Sequence, residues 1–177
     1  MRIVVEAPNP EWPAAFEAEA KKLREALQPN LAAIHHIGST AILGIVAKPT
    51  IDVLLVVPSF LLLDASAPAL IGLGYEGMGE FGITERRYFR KDSAVGIRTH
   101  HLHAYEVGNP RIEQHLAFRD YMNEHPDVAQ TYGALKARLA AVHSDDRQEY
   151  MNGKANFIKE VETTALMWIR RRPKQLA

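Results

Sequence analysis

The stretch Ile34-His35-His36-Ile37-Gly38-Ser39-Thr40, with Thr50-Ile51-Asp52-Val53-Leu54-Leu55-Val56-Val57 a short loop later, decides how this chain is read. Leu31 to Ile37 and Thr50 to Val57 are apolar runs of strand length on either side of a Gly-Ser turn, which predicts two buried, neighbouring strands. Gly38 lets backbone approach a ligand closely. Ser39 and Thr40 offer hydroxyls and N–H groups at the start of a helical turn, a favourable place for phosphate oxygens. The same residues also suit an ordinary strand-to-helix turn with Ser39 as N-cap.

Asp52 adds weight to the first reading. An unpaired carboxylate among Val and Leu in a central strand is costly to bury, so something positive must face it. A metal ion, a protonated histidine, or a basic side chain such as Lys48 would each serve. A second carboxylate two residues on would share the face of Asp52, but the chain has Leu54 there.

His100-His101-Leu102-His103 reads as strand, which puts His101 and His103 on one face and His100 on the other. Imidazoles at i and i+2 can share a metal. With Asp52 they make a two-histidine, one-carboxylate set that suits Mn, Fe, Ni or Zn better than Mg. Local hydrogen bonding, or contact with substrate phosphates, is the other role open to them. In Glu85-Arg86-Arg87-Tyr88-Phe89-Arg90-Lys91, alternation puts Arg86, Tyr88 and Arg90 on one face. Such arginines either reach a phosphate cleft or decorate a solvated edge strand.

Outward from this centre, Ile3 to Val5 reads as a short strand. Trp12, Phe16, Ala20, Leu23 and Leu27 then recur at helical spacing until Pro29 and Asn30. Ser59 to Gly74 reads as helix divided at Pro68, with Ser59 or Ser66 as N-cap. Short strands follow around Tyr75, Arg86 to Lys91 and Val95 to Glu106. After Asn109-Pro110 the pattern is helical alone, with a break at His125-Pro126 and a basic end, Arg170 to Lys174. Strands followed by helices predict an α+β fold: a mixed β-sheet backed by helices, with a C-terminal helical extension. One domain over 1–177 is expected, with a strand-rich core at 1–108 and a helical part at 109–177.

The 177 residues are 47% hydrophobic and 24% charged, ordinary for a folded domain. Zero formal net charge gives no strong nucleic-acid signal, so a polyanion site must be local. Without cysteine, any metal site is built from His, Asp and Glu. No export signal or membrane span is read, and a cytoplasmic protein is expected.

Taken together, His36-Ile37-Gly38-Ser39-Thr40, Lys48-Pro49, Ile51-Asp52, Leu73-Gly74-Tyr75, Glu85-Arg86, His101-Leu102-His103, Phe118-Arg119-Asp120-Tyr121, His125-Pro126, Tyr132, Leu135-Lys136, Tyr150 and Lys154 resemble the GrpB family of bacterial proteins, within the polymerase-beta-type nucleotidyltransferase superfamily. The resemblance implies a nucleotidyltransferase-like mixed sheet. It also implies a nucleotide or other phosphorylated small molecule bound with a divalent metal, and nucleotidyl transfer as the reaction class to test. Gly38, Ser39, Thr40, Lys48 and Arg86 are then the expected phosphate- or nucleotide-binding residues. Asp52, His101 and His103 are the expected metal ligands, with Asp52 and His103 catalytic. The metal expected is Mg or Mn, or Zn or Ni if the histidines ligate. His35 stands where relatives often carry an acid and Leu43 where proline is common. Leu54 bears on mechanism, because two-metal transfer needs carboxylates enough for two cations. The alternative is a catalytically inactive binding or regulatory module with a protein partner or a link to coenzyme A metabolism, since some relatives are fused to a dephospho-coenzyme A kinase.

Overall fold

The computed structural model describes residues 3–172. Among these, the elements run α1 (Trp12–Leu27), β1 (Ala33–Ile37), β2 (Ile51–Val57), α2 (Phe60–Ala65), α3 (Ala67–Gly72), β3 (Tyr75–Gly77), β4 (Arg87–Asp92), β5 (Arg98–Glu106), α4 (Pro110–Glu124), α5 (Pro126–Val142) and α6 (Arg147–Arg171). The five strands form one sheet in the order β1-β2-β5-β4-β3. The central β2–β5 pair is parallel and the rest are antiparallel, so the sheet is mixed. The fold is α+β, as its sequence pattern predicts.

Register assigns each side chain to a face. Asp52 lies opposite Ile37 on β1 and His101 on β5, while His103 lies opposite Leu54 on β2 and Tyr88 on β4. Alternation therefore leaves Ile51, Val53, Leu55, Val57, Leu102 and Ala104 on the other face, where the apolar stripe of α1 buries them with Leu63 of α2 and Leu70 of α3. Trp12, Phe16, Ala20, Leu23 and Leu27, the residues at helical spacing, are that stripe. Glu19 is buried within it at 3% exposure and accepts from Tyr75 Oη at 2.9 Å, Lys91 Nζ at 2.7 Å and Lys22 Nζ at 3.0 Å.

The opposite face is covered along part of its length. Ile37, Leu54, Val56 and Tyr105 pack under Ile112 and Leu116 of α4. Ile42 and Ile45, in the loop after β1, are buried with Met122, Ala129, Tyr132 and Val161 of the three C-terminal helices. This second core holds the helical part against the Gly38-Ser39 loop. The end of the face that carries Asp52, His101 and His103 stays partly open.

Four local expectations need correction. Ile3 to Val5 is not a strand of the sheet: the segment makes an isolated bridge, Glu6 to Ala47, and packs Ile3 and Val5 against Leu135, Leu139 and Tyr150. β4 is not an edge strand but lies between β5 and β3, and its charges are paired, Arg87 with Asp64, Arg90 with Glu76 and Lys91 with Glu19. β5 begins at Arg98, because Ser93 to Ile97 form a turn closed by Ile97 O accepting from Ser93 N at 2.7 Å. The helix near Pro68 is two helices meeting at Ser66; Ser59 caps the first by accepting from Leu62 N. Of the basic C-terminal run, Arg170 pairs with Glu113 and Arg172 with Glu124, while Lys174 lies outside the described residues.

Candidate metal and phosphate site

Gly38 adopts φ 71° and ψ −170°, a backbone region essentially reserved for glycine, and hands the chain into a short 3₁₀ turn at Ser39–Ala41. Its missing side chain is what lets the loop lie directly against Asp52. Asp52 Oδ1 accepts from His101 Nδ1 at 2.8 Å and faces His103 Nε2 at 3.6 Å. Burial pushes the Asp52 carboxyl up, but the hydrogen bonds from the two histidines outweigh it and hold it well below the usual carboxylate range. One ligand atom from each of Asp52, His101 and His103 falls within 4.8 Å of the other two.

Hydrogen bonding assigns the protons. An ionised carboxylate only accepts, so His101 presents Nδ1–H to Asp52 and its Nε2 is left as the acceptor. Arg86 Nη1 lies 3.4 Å from His103 Nδ1; a guanidinium only donates, so that nitrogen is unprotonated and the His103 proton faces Asp52. The set fits a divalent cation, since two imidazoles and one carboxylate are the donors chosen by Mn, Zn or Ni. A cation held by the ring nitrogens that face Asp52 would require each imidazole to carry its proton on the other nitrogen, which for His103 is the one beside Arg86.

The other expected residues are placed differently from one another. Ser39 is half-buried at the cleft, beside the hydroxyl of Tyr132. Thr40 is buried and its hydroxyl turns inward, donating to Thr50 O at 3.3 Å and accepting from His36 Nε2 at 2.9 Å. His36 itself stacks on Phe16 at 4.8 Å, on the far face of the sheet. Arg86 is 5% exposed, and its guanidinium donates to Glu80 O at 3.2 and 3.1 Å and Phe81 O at 3.0 Å besides facing His103. Lys48 sits on the rim, where burial of its ammonium and the charges of Arg147 and Arg98 lower its pKa, opposed by the charge of Asp52.

Two neighbours of the histidines, and a buried lysine against Tyr132, escaped the sequence reading of the site. Tyr88 is 7% exposed and its ring lies 5.6 Å from that of His101 and 5.4 Å from that of His103. His115 of α4 lies 5.8 Å from His103, and burial pushes its imidazole down to about 4, so it is neutral at pH 7. Lys136 of α5 is 2% exposed, donates to Val46 O, and is pushed down by burial to about 7. A lysine four residues after Tyr132, within a stripe of apolar spacing, was its available signal. Lys154 on α6 is also held down by burial, opposed by the charge of Asp52. Among the described residues, Lys48, Lys136 and Lys154 have no carboxylate at ion-pairing distance. No helix among them is long and apolar enough to cross a membrane.

A mixed sheet whose Gly-Ser loop leaves one strand and packs on an aspartate of the next is a nucleotidyltransferase-like arrangement. The poly(U) polymerase Cid1, in a structure described as MgGTP bound, shares this fold at a TM-score of 0.53 over 78% of this chain and 45% of that chain, with 13% identity. Within that class the chain belongs to the GrpB family, whose description is "GrpB protein" and which matches residues 2–164. The structure of conserved protein GrpB from Enterococcus faecalis covers 95% of this chain and 100% of that one, at 42% identity and a TM-score of 0.90. UPF0157 protein YqkA of Bacillus subtilis is 44% identical over 90% of this chain. This chain spans 46% of the length of YqkA.

Proposed function

We propose that the cleft binds a nucleotide or another phosphorylated small molecule together with one divalent metal ion. The observation that carries this reading is the convergence of Asp52, His101 and His103. A bound cation would neutralise phosphate charge and polarise a phosphoryl oxygen there. The backbone of Gly38 and Ser39 borders the same cleft, and Lys48 and Lys154 supply positive charge without carboxylate partners. Polyanion binding is a use for such charges that accounts for their mutual repulsion in the free protein.

In this reading Asp52, His101 and His103 hold the metal, and Ser39 and Gly38 cradle phosphate oxygens. Arg86 orients His103 and contributes positive charge behind it; proton transfer is the alternative role of His103 where it does not ligate the metal. Nucleotidyl transfer is the reaction to test. The buried position of Leu54, 0% exposed beneath α4, favours a second reading in which the protein binds its ligand without transferring it.

Thermal stabilisation of the wild type and Asp52→Asn with Mn²⁺, Zn²⁺, Ni²⁺ or Mg²⁺, each with and without a nucleoside triphosphate panel, tests the binding. A rise in Tm for the wild type that the variant lacks supports the site. Absence of any metal or nucleotide effect on the wild type sinks it. Stabilisation without pyrophosphate release moves the balance to the binding module.

A further inference from the structure

We infer that the exposed ring of Phe81 is a stacking platform for the base of the nucleotide whose phosphates occupy the Asp52 cleft. The inference rests on the phosphate-site reading above and adds to it the position of the base. Phe81 is 52% exposed, on the β3–β4 loop. Its ring stacks on Tyr88 at 5.2 Å and 18°, and Tyr88 in turn contacts both histidines of the triad. Two ring-to-ring steps thus connect the metal ligands to an exposed aromatic surface.

The loop is built to hold that ring where it is. Phe81 has φ 46°, in the left-handed region that side chains rarely adopt, although Gly79 and Gly82 lie on either side. Arg86 fixes the loop from beneath through its bonds to the carbonyls of Glu80 and Phe81, and its Cζ lies 4.8 Å over the Tyr88 ring. Glu80 closes the loop by accepting from Glu85 N at 2.7 Å, and Gly79 O accepts from Tyr88 N at 2.8 Å. The buried arginine that faces His103 therefore also positions Phe81, and one side chain couples platform to metal site.

The surroundings select the occupant. A planar aromatic group stacks on a free phenyl face with little sequence preference, because every base has a π-face. Toward the sheet the ring is followed by Tyr88 and then by the two histidines of the triad rather than by more apolar surface. A bare apolar group would gain from the ring alone. A base carried on a phosphorylated sugar gains from both ends.

Binding of ATP, GTP, CTP and UTP, and separately of inorganic tripolyphosphate, all with Mn²⁺, is measured for wild type, Phe81→Ala and Phe81→Trp. Phe81→Ala is expected to weaken nucleoside triphosphates about tenfold while leaving tripolyphosphate unchanged, and Phe81→Trp to restore affinity with quenching of the new indole by the base. Equal nucleotide affinity in wild type and Phe81→Ala overturns the platform but leaves the cleft reading standing. Wild type that binds tripolyphosphate and no nucleotide also removes the platform alone. Failure to bind either overturns both.

Discussion

Gly38 and Asp52 touch across adjacent strands: a β-carbon placed on Gly38 would lie 2.9 Å from the Asp52 β-carbon and closer still to its carboxylate. Substituting Gly38→Ala therefore meets two obstacles, the backbone region at φ 71° and the carboxylate itself. The backbone alone costs about 1–3 kcal/mol. Thermal unfolding should show a Tm lowered by roughly 4–10 °C, with metal-dependent stabilisation lost because Asp52 is displaced. A variant of unchanged Tm that still binds metal would show that the loop can move away freely.

Leu54→Asp, the change that writes in the second carboxylate of an active nucleotidyltransferase strand, should not create activity. Leu54 is fully buried under Ile112 and Leu116, so the substitution opens a cavity and leaves a carboxylate without a partner. A loss of at least about 3 kcal/mol is expected in urea denaturation. Calorimetric titration of any folded fraction should still give one metal per chain. Two Mn²⁺ per chain with pyrophosphate release would refute this.

On the other face, Glu19 ties α1 to β3 and β4. Burial pushes its carboxyl up, but the bonds from Lys91, Lys22 and Tyr75 prevail and bring it from 4.5 down to about 2. A carboxyl whose folded value is depressed gives stability that is present above pH 4.5 and is lost as pH falls toward 2. Glu19→Gln should cost about 3 kcal/mol at pH 7 and flatten the dependence of Tm on pH across that acid window. Parallel acid curves for the two proteins would count against the network.

Lys136 is the converse case. Its ammonium is brought from 10.5 down to about 7 by burial, so between those values the unfolded chain holds a proton that the folded chain has released, and stability rises with pH. Lys136→Met should remove that slope and stabilise the protein at pH 7 by about 1–3 kcal/mol, while weakening tripolyphosphate binding. Calorimetry in buffers of different ionisation enthalpy should show wild type taking up protons on binding tripolyphosphate. A variant of unchanged affinity would restrict Lys136 to packing.

Much of this arrangement was legible in the order of residues. Period-two alternation placed His101 and His103 together, and helical spacing marked the buried stripe of α1, because both patterns follow from local geometry. Register was not legible: that Asp52 pairs with His101 rather than with a neighbour depends on how β2 and β5 meet. For the same reason Thr40, which belongs to the Gly38-Ser39-Thr40 turn, turns its hydroxyl inward to His36, whose ring partner Phe16 lies on a distant helix. Tyr88 of β4 and His115 of α4 arrive beside the histidines through tertiary packing, and so does Lys136 of α5 against Tyr132 and Val46. Only Lys136 left a local trace, a cation at core spacing.

The two central strands run parallel, so nothing short connects Asp52 to His101; 49 positions of chain separate them. A cation shared by Asp52, His101 and His103 would act as a removable cross-link closing that long segment. Loading the site would then stabilise the folded pairing by mass action, because the ligand set exists only where the two strands meet, in a protein without cysteine. The parallel seam, slow to form because its partners are distant in the chain, would be the part of the sheet that a metal ion fastens most.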